Sequence, residues 1–430
     1  MKERIALALY GALLRLLTPF YLLRLWRRGK AEPLYRQFLG ERLGVYKQAA
    51  PAHGWIWVHA VSLGETRAAA ALVEQLRVLR PDARFLLTHS TATGREAGRD
   101  LLQKLGRDGD AQAWLPYDRR DAVRRFLLHW QPAVGVLMET EVWPGLQAEA
   151  ARFRLPMVLA NARLSERSLR RGMRFAALLR PAARRLNLAL AQTDPDAERI
   201  RAMGAPRVEV MGNLKYDMQP DAALIARGRA WRERLGRPVL LAAVFREGEE
   251  QMLLDAWKAL RVYGPRPLLV IVPRHPQRFD EVAELVQATG LRLARRSTWQ
   301  DLPPDEALAA DCWLGDSMRE MPLYYGLADA ALLGGSYAKL GGQNLIEAAA
   351  CGCPIVMGPH TFNFAEASAL AESAGAALRA ADIEQALTQA LRLCEAPSEQ
   401  QAMARRALAF AAQHRGAAER MAQAISAILP

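Results

Sequence analysis

Short apolar runs take turns with helical stretches along most of this chain, in two successive series. The first reads WIWVHAV, RFLLTHS, QAWLPYD, AVGVLME, PMVLANA, LNLALAQ and RVEVMGN, with helical stretches near Glu65 to Leu79, from about Gly94, at Asp121 to Trp130, after Pro144 and from Ser165. Strands that are apolar throughout need cover on both faces. Helices between successive strands supply it, so the pattern predicts an α/β fold on parallel sheets. A polar connector and lead-in helix, roughly Asp217 to Gly236, precede the second series: PVLLAAV, PLLVIVP, DCWLGD, ADAALLGG and CPIVMGP. At 430 residues the chain is too long for one ordinary domain. The expected division is a segment at 1–30, a first domain at 31–217 and a second at 218–430, the helical stretch from about Ser398 to Ile428 being long enough to pack back on the first. Two such sheets in tandem leave a cleft lined by the carboxyl ends of their strands, the usual place for a ligand.

The polar motifs fall just beyond strands. Between Leu332 and Phe364 an apolar run enters a turn containing Gly334, Gly335, Gly341 and Gly342 and then a helix. Such a turn lets backbone N–H groups approach an anion, and the helix adds partial positive charge, so the stretch reads as a phosphate cradle. Asn344 and Glu347, three residues apart, share one face of the first helical turn, from which Glu347 can accept hydrogen bonds from a ribose. The same residues also suit a plain tight turn and helix start. Ser62 and Glu65 follow the first strand, and a carboxylate at a helix N-terminus is kept ionised, as a general base must be. Ser-x-x-Glu is equally a capping box. Glu139, Glu141 and Trp143 form a polar and stacking wall suited to a carbohydrate, although Glu141 before a helix is also ordinary dipole chemistry. Arg274, in Pro-Arg-His-Pro, suits a phosphate or a solvated turn, and the backbone from Gly315 to Glu320 can read a nucleobase edge. Asp194-Pro195-Asp196 is helix initiation, not a metal pair. Arg167, Arg170, Arg171 and Arg174 share one helical face, a landing site for lipid phosphates or a solvated surface. No P-loop lysine pattern and no dinucleotide glycine fingerprint follows a first strand, which argues against kinase and dehydrogenase chemistry.

A net charge of +13 points to an anionic partner. Nucleic acid is not expected, because the basic residues are spread out with no zinc-finger spacing or aromatic RNA-binding signature. Cys312, Cys351, Cys353 and Cys394 make no C-x-x-C module, which fits a reducing cytoplasm. Ile5 to Leu25 is apolar but interrupted by Arg15, and no cleavage site follows. Its unbroken runs are about half of the ~20 residues that a spanning helix needs. Lys2, Arg4, Arg24, Arg27, Arg28 and Lys30 bracket it, as expected for an anchor in an anionic leaflet; the alternative is an ordinary N-terminal helix packed on the first domain.

Taken in order, HAVSLGE, METEVWP, NARLSERS, GNLKYD, PRHPQRF, LGDSM and GGSYAKLGGQNLIEA, followed by GPHTFNF, resemble the Kdo (3-deoxy-D-manno-oct-2-ulosonate) transferases of Gram-negative lipopolysaccharide synthesis over nearly the whole chain. The resemblance implies a GT-B glycosyltransferase: two Rossmann-like domains facing a central cleft, behind an N-terminal membrane-associated helix. It implies inverting transfer of Kdo from CMP-Kdo to a lipid A precursor, with no metal or other cofactor, at the cytoplasmic side of the inner membrane. Glu65 becomes the general base, with Ser62, Gly64, Glu139, Glu141 and Arg163 lining the acceptor side of the cleft. CMP falls to Pro273, Arg274, Met318, Arg319, Glu320, Asn344, Leu345, Ile346 and Glu347 in the second domain. Two departures stand out. Val244-Phe245-Arg246 replaces the family's usual Ser-Thr-His before Glu247-Gly248-Glu249, in a loop expected to face the cleft, and Arg319 replaces a usual glycine. Competing expectations are a GT-B enzyme for another nucleotide sugar and a catalytically weakened nucleotide-binding relative.

Overall fold

The computed structural model describes residues 1–47, 54–105, 109–260 and 266–429. The chain divides into two compact units, Met1–Met218 with Arg415–Pro430, and Gln219–His414.

The first unit holds a seven-stranded sheet: β1 (Trp55–His59), β2 (Phe85–His89), β3 (Ala111–Trp114), β4 (Pro132–Met138), β5 (Met157–Ala162), β6 (Leu188–Ala191) and β7 (Val208–Val210). Their order is β3-β2-β1-β4-β5-β6-β7, and the pairs are parallel. Successive residues of a strand point to opposite faces, and β1 shows the consequence. Ile56 and Val58 join Leu72 and Leu76 of helix Leu63–Leu79 and Met421 and Ile425 of helix Ala417–Ser426 in one core. Trp55 and Trp57 join Phe126 and Trp130 in the other.

The second unit has β8 (Val239–Phe245), β9 (Leu268–Pro273), β10 (Leu293–Arg295), β11 (Cys312–Leu314), β12 (Ala330–Leu333), β13 (Ile355–Met357) and β14 (Ala377–Arg379), ordered β10-β11-β9-β8-β12-β13-β14, again parallel. β10 and β14 are additions to the expected strands. Both are edge strands that end in an arginine, Arg295 and Arg379, and so lack the apolar run that marks β11 and β13.

The expected helical stretch Ser398 to Ile428 is two helices, Pro397–Gln413 in the second unit and Ala417–Ser426 in the first. They part at Gly416, which has φ 93°. Asp217 fixes the return, its carboxylate accepting the N–H groups of Gly416 at 2.5 Å and Ala418 at 2.7 Å. This is N-terminal capping by a residue distant in sequence.

Near the N-terminus, the helix Lys2–Arg28 is continuous through Arg15 and Pro19 and is long and apolar enough to cross a membrane by length and composition. The short apolar runs had suggested less. Ile5, Leu9, Leu13, Leu16, Phe20 and Leu23 form an exposed stripe along it. Elsewhere the helix meets its own unit, where Tyr10 lies beside Asp118 and Glu3 lies 3.4 Å from Arg184.

Candidate functional site

In a doubly wound sheet, ligands bind beyond the carboxyl ends of the strands where the strand order reverses. In the first unit that point lies between β1 and β4; β1 is followed by Ser62 and, in the first turn of the next helix, Glu65, and the loop leaving β4 carries Glu139 and Glu141.

Ser62 caps helix Leu63–Leu79, its Oγ accepting from the Glu65 N–H at 3.5 Å. Glu65 reaches back so that Oε2 accepts the Val61 N–H at 2.7 Å, with Oε1 3.4 Å from the Ser62 hydroxyl. The capping arrangement is real. It does not exhaust Glu65, because burial pushes this carboxyl up to about 7, the Val61 N–H opposing and the nearby Glu139 and Glu141 charges adding to the rise. The expectation that the helix terminus keeps Glu65 ionised is corrected: desolvation outweighs the Val61 and Ser62 hydrogen bonds that favour the charged form. Gly64 beside it is exposed, with open space where a Cβ would stand. Burial also raises Glu141.

Glu139 sits at φ 55°, an uncommon conformation for a non-glycine residue, 3.6 Å from Lys215 of the GNLKYD motif. Its carbonyl accepts the Arg163 N–H at 3.3 Å. Lys215 is an addition to the expected site. Behind it runs a polar chain across the ends of β5, β6 and β7: the Asn161 side chain accepts the Leu214 N–H, Gln192 Nε2 donates to the Asn161 carbonyl, and Asn213 Nδ2 donates to Gln192 Oε1. Asp118 is another addition, accepting the N–H groups of Gly145 and Leu146 and so fixing the helix that follows Glu141. His59, in the HAVSLGE motif, is fully buried and pushed down to about 3 by that burial, so it is a neutral core residue.

In the second unit the order reverses between β8 and β12, and the loops leaving them are Arg246–Gly248 and the glycine-rich turn. The turn differs from the expected cradle. The N–H groups of Gly335, Tyr337 and Ala338 donate to the buried Glu249 carboxylate at 2.6, 3.0 and 3.2 Å, so the inner part of the turn already holds an internal anion. Helix Leu345–Ala350 behind it has only six residues, which limits its dipole. Asn344 is its N-cap, Oδ1 accepting the Ile346 N–H at 3.1 Å, and Glu347 is partly exposed. Leu345 and Ile346 are core side chains, 0% and 1% exposed, so only their backbone is available to a ligand.

Pro273 ends β9, and Arg274, exposed, donates its N–H to the Phe245 carbonyl at 2.8 Å. Beyond β11, Met318 and Arg319 are exposed, while Glu320 is paired with Arg296 at 2.8 Å. Val244 and Phe245 close strand β8 instead of forming a loop, and Phe245 lies in the core against Tyr337, ring centroids 5.8 Å apart. Only Arg246 of the departing triplet stands in the loop. Val244 has φ 59°, an outlier for a β-branched residue, and Gly334 packs so tightly on it that an added Cβ would lie 2.3 Å from the Val244 carbonyl oxygen.

Arg319 has φ 66°, as its replacement of a glycine had suggested. A left-handed conformation costs an L-residue about 1–2 kcal/mol, part of which glycine forfeits through its freer unfolded chain. Arg319→Gly is therefore expected to raise Tm by ~2 °C in a thermal melt. A lower Tm would mean that contacts of the arginine outweigh the strain.

Among the described residues no group of three or more His, Cys, Asp or Glu is placed to hold a metal ion.

A relative from Bordetella pertussis, a 3-deoxy-D-manno-octulosonic acid transferase, is 47% identical over 423 residues, 97% of this chain and 98% of its own. The chain belongs to the Kdo transferase family. Residues 37–218 match the family model for 3-deoxy-D-manno-octulosonic-acid transferase. The Haemophilus influenzae member is 36% identical over 83% of each chain. Kdo transferases are glycosyltransferases, and this chain has their GT-B-like pair of Rossmann units. A UDP-GlcNAc 2-epimerase from Neisseria meningitidis superposes with TM-score 0.55 over 87% of this chain and 99% of its own at 14% identity, a likeness of fold alone.

Proposed function

We propose that this Kdo transferase moves Kdo from CMP-Kdo to a hydroxyl of a lipid A precursor, lipid IVA, with inversion. The acceptor oxygen attacks the anomeric carbon, the bond from that carbon to the CMP phosphate oxygen breaks, CMP leaves with its electron pair, and Glu65 takes the acceptor proton. The observation that carries this reading is Glu65 at the first switch point, its carboxyl pushed by burial to about 7. That suits a general base working near neutral pH. The donor holds one phosphate, so Arg274 and backbone donors near Asn344 would stabilise departing CMP without a cation or cofactor. Met318, Arg319 and Glu320 would border the nucleotide, and Ser62, Gly64, Glu139, Glu141 and Arg163 the acceptor. The anchor would be the helix Lys2–Arg28, its apolar stripe in the cytoplasmic leaflet of the inner membrane and Arg4, Arg15 and Arg24 among anionic headgroups.

The test is incubation of membranes containing the protein with CMP-Kdo and tetra-acylated lipid A precursor, followed by mass spectrometry of the lipid. Product with a UDP-sugar or ADP-heptose but not CMP-Kdo would reassign the donor. The pH profile checks the base. Glu65 must be deprotonated to accept a proton, so kcat/KM is expected to rise about tenfold per pH unit up to a pH of about 7 and then level. A profile flat from pH 5 to 8 would exclude Glu65 as the titrating base.

A further inference from the structure

We propose that Glu249 is a positioning residue for nucleotide binding, holding the glycine-rich turn in its working shape from behind; this rests on the reading of the second unit as the CMP-binding one. Glu249 is 0% exposed, and both its oxygens are used by backbone donors. Oε2 accepts the N–H groups of Arg246 at 3.1 Å and Gly335 at 2.6 Å, and Oε1 those of Tyr337 at 3.0 Å and Ala338 at 3.2 Å. One side chain thus ties together the loops leaving β8 and β12, the two that flank the switch point. Residues 335–338 form neither helix nor strand, so their N–H groups find no ladder partner. Buried without an acceptor, they would each carry a desolvation cost, and the turn would rearrange to reach water. The tether continues outward, because the Gly335 carbonyl accepts the Gly342 N–H at 2.7 Å, two residues before Asn344. Glu249 therefore fixes the segment that carries Asn344 and Glu347 without touching the nucleotide. The close approach of Gly334 to the Val244 carbonyl holds the same two loops together from the strand side.

The experiment uses the full-length protein in detergent and CMP as probe. Glu249→Gln keeps the size of the side chain but turns one acceptor into an NH2 group facing N–H donors. Loss of one or two such bonds is expected to weaken CMP about tenfold by calorimetry and to raise the KM for CMP-Kdo similarly, leaving the KM for the lipid acceptor unchanged. Hydrogen exchange on the unaltered protein is the second arm, independent of whether the variant folds. The Gly335, Tyr337 and Ala338 amides should exchange as slowly as those of β12. Fast exchange there, or a folded Glu249→Gln protein that binds CMP within twofold of the original, would overturn the positioning role. Failure of the unaltered protein to bind CMP would instead overturn the reading of this unit as the nucleotide site.

Discussion

Glu65→Gln is expected to lower kcat by at least about 100-fold if Glu65 is the proposed base, because general-base help is typically worth about 10²–10⁴ in rate and a neutral amide cannot take the acceptor proton. The substitution keeps an oxygen able to accept the Val61 N–H, which Glu65 now holds at 2.7 Å. Losing a cap outright costs only ~1 kcal/mol, and here little of it is lost, so Tm and CMP affinity should stay nearly unchanged. The capping and catalytic readings of Ser-x-x-Glu, both legitimate from the sequence, separate in this one variant. Near-normal kcat would leave Glu65 as a cap and move the search to Glu141, raised by burial, or to Glu139 beside Lys215.

The second large effect is structural and lies in the second unit. Arg278 donates Nη1 to both oxygens of the buried Glu250 at 2.8 and 2.9 Å and bonds Glu281 through Nε and Nη2. Burial pushes Glu250 up even with the guanidinium against it, so the pair only partly offsets the desolvation of the carboxylate. Breaking such a pair is nevertheless costly. Arg278→Met should destabilise the protein by about 3 kcal/mol, because it strands Glu250, and lower Tm by ~10 °C. Protonation can relieve the stranded group. Removing the guanidinium takes away an influence that lowers the Glu250 pKa, so the variant's folded pKa lies above the already raised parent one; the deficit should be complete above the variant's pKa and shrink as pH falls toward the parent's. Replacing both residues by Met should recover most of the loss. A single-variant cost under about 1 kcal/mol at neutral pH would show that the fold does not depend on this pair.

The sequence by itself determined the layered architecture. Runs such as WIWVHAV and PLLVIVP are apolar on both faces, and only a parallel sheet covered by helices hides such strands from water. It also placed Glu65, Glu139, Arg274 and Asn344 beyond strand ends, where this architecture puts its ligands, and the ordered set of motifs carried the family. β10 and β14 carry no apolar run, being edge strands that end in Arg295 and Arg379, and the break at Gly416 lies within an otherwise continuous helical pattern.

What only the tertiary structure decided was the state and partnership of these groups. Local sequence shows a helix N-terminus beside Glu65 and predicts an ionised carboxylate, but the burial that raises it comes from folding, together with Glu139 and Glu141 from a loop more than seventy residues away. The glycine-rich turn reads locally as an empty anion cradle, yet Glu249, roughly ninety residues upstream, fills its inner half. Phe245 looks like a loop residue until β8 is seen to run through it into the core. Desolvation and hydrogen bonding depend on which atoms surround a group, and those neighbours are distant in sequence.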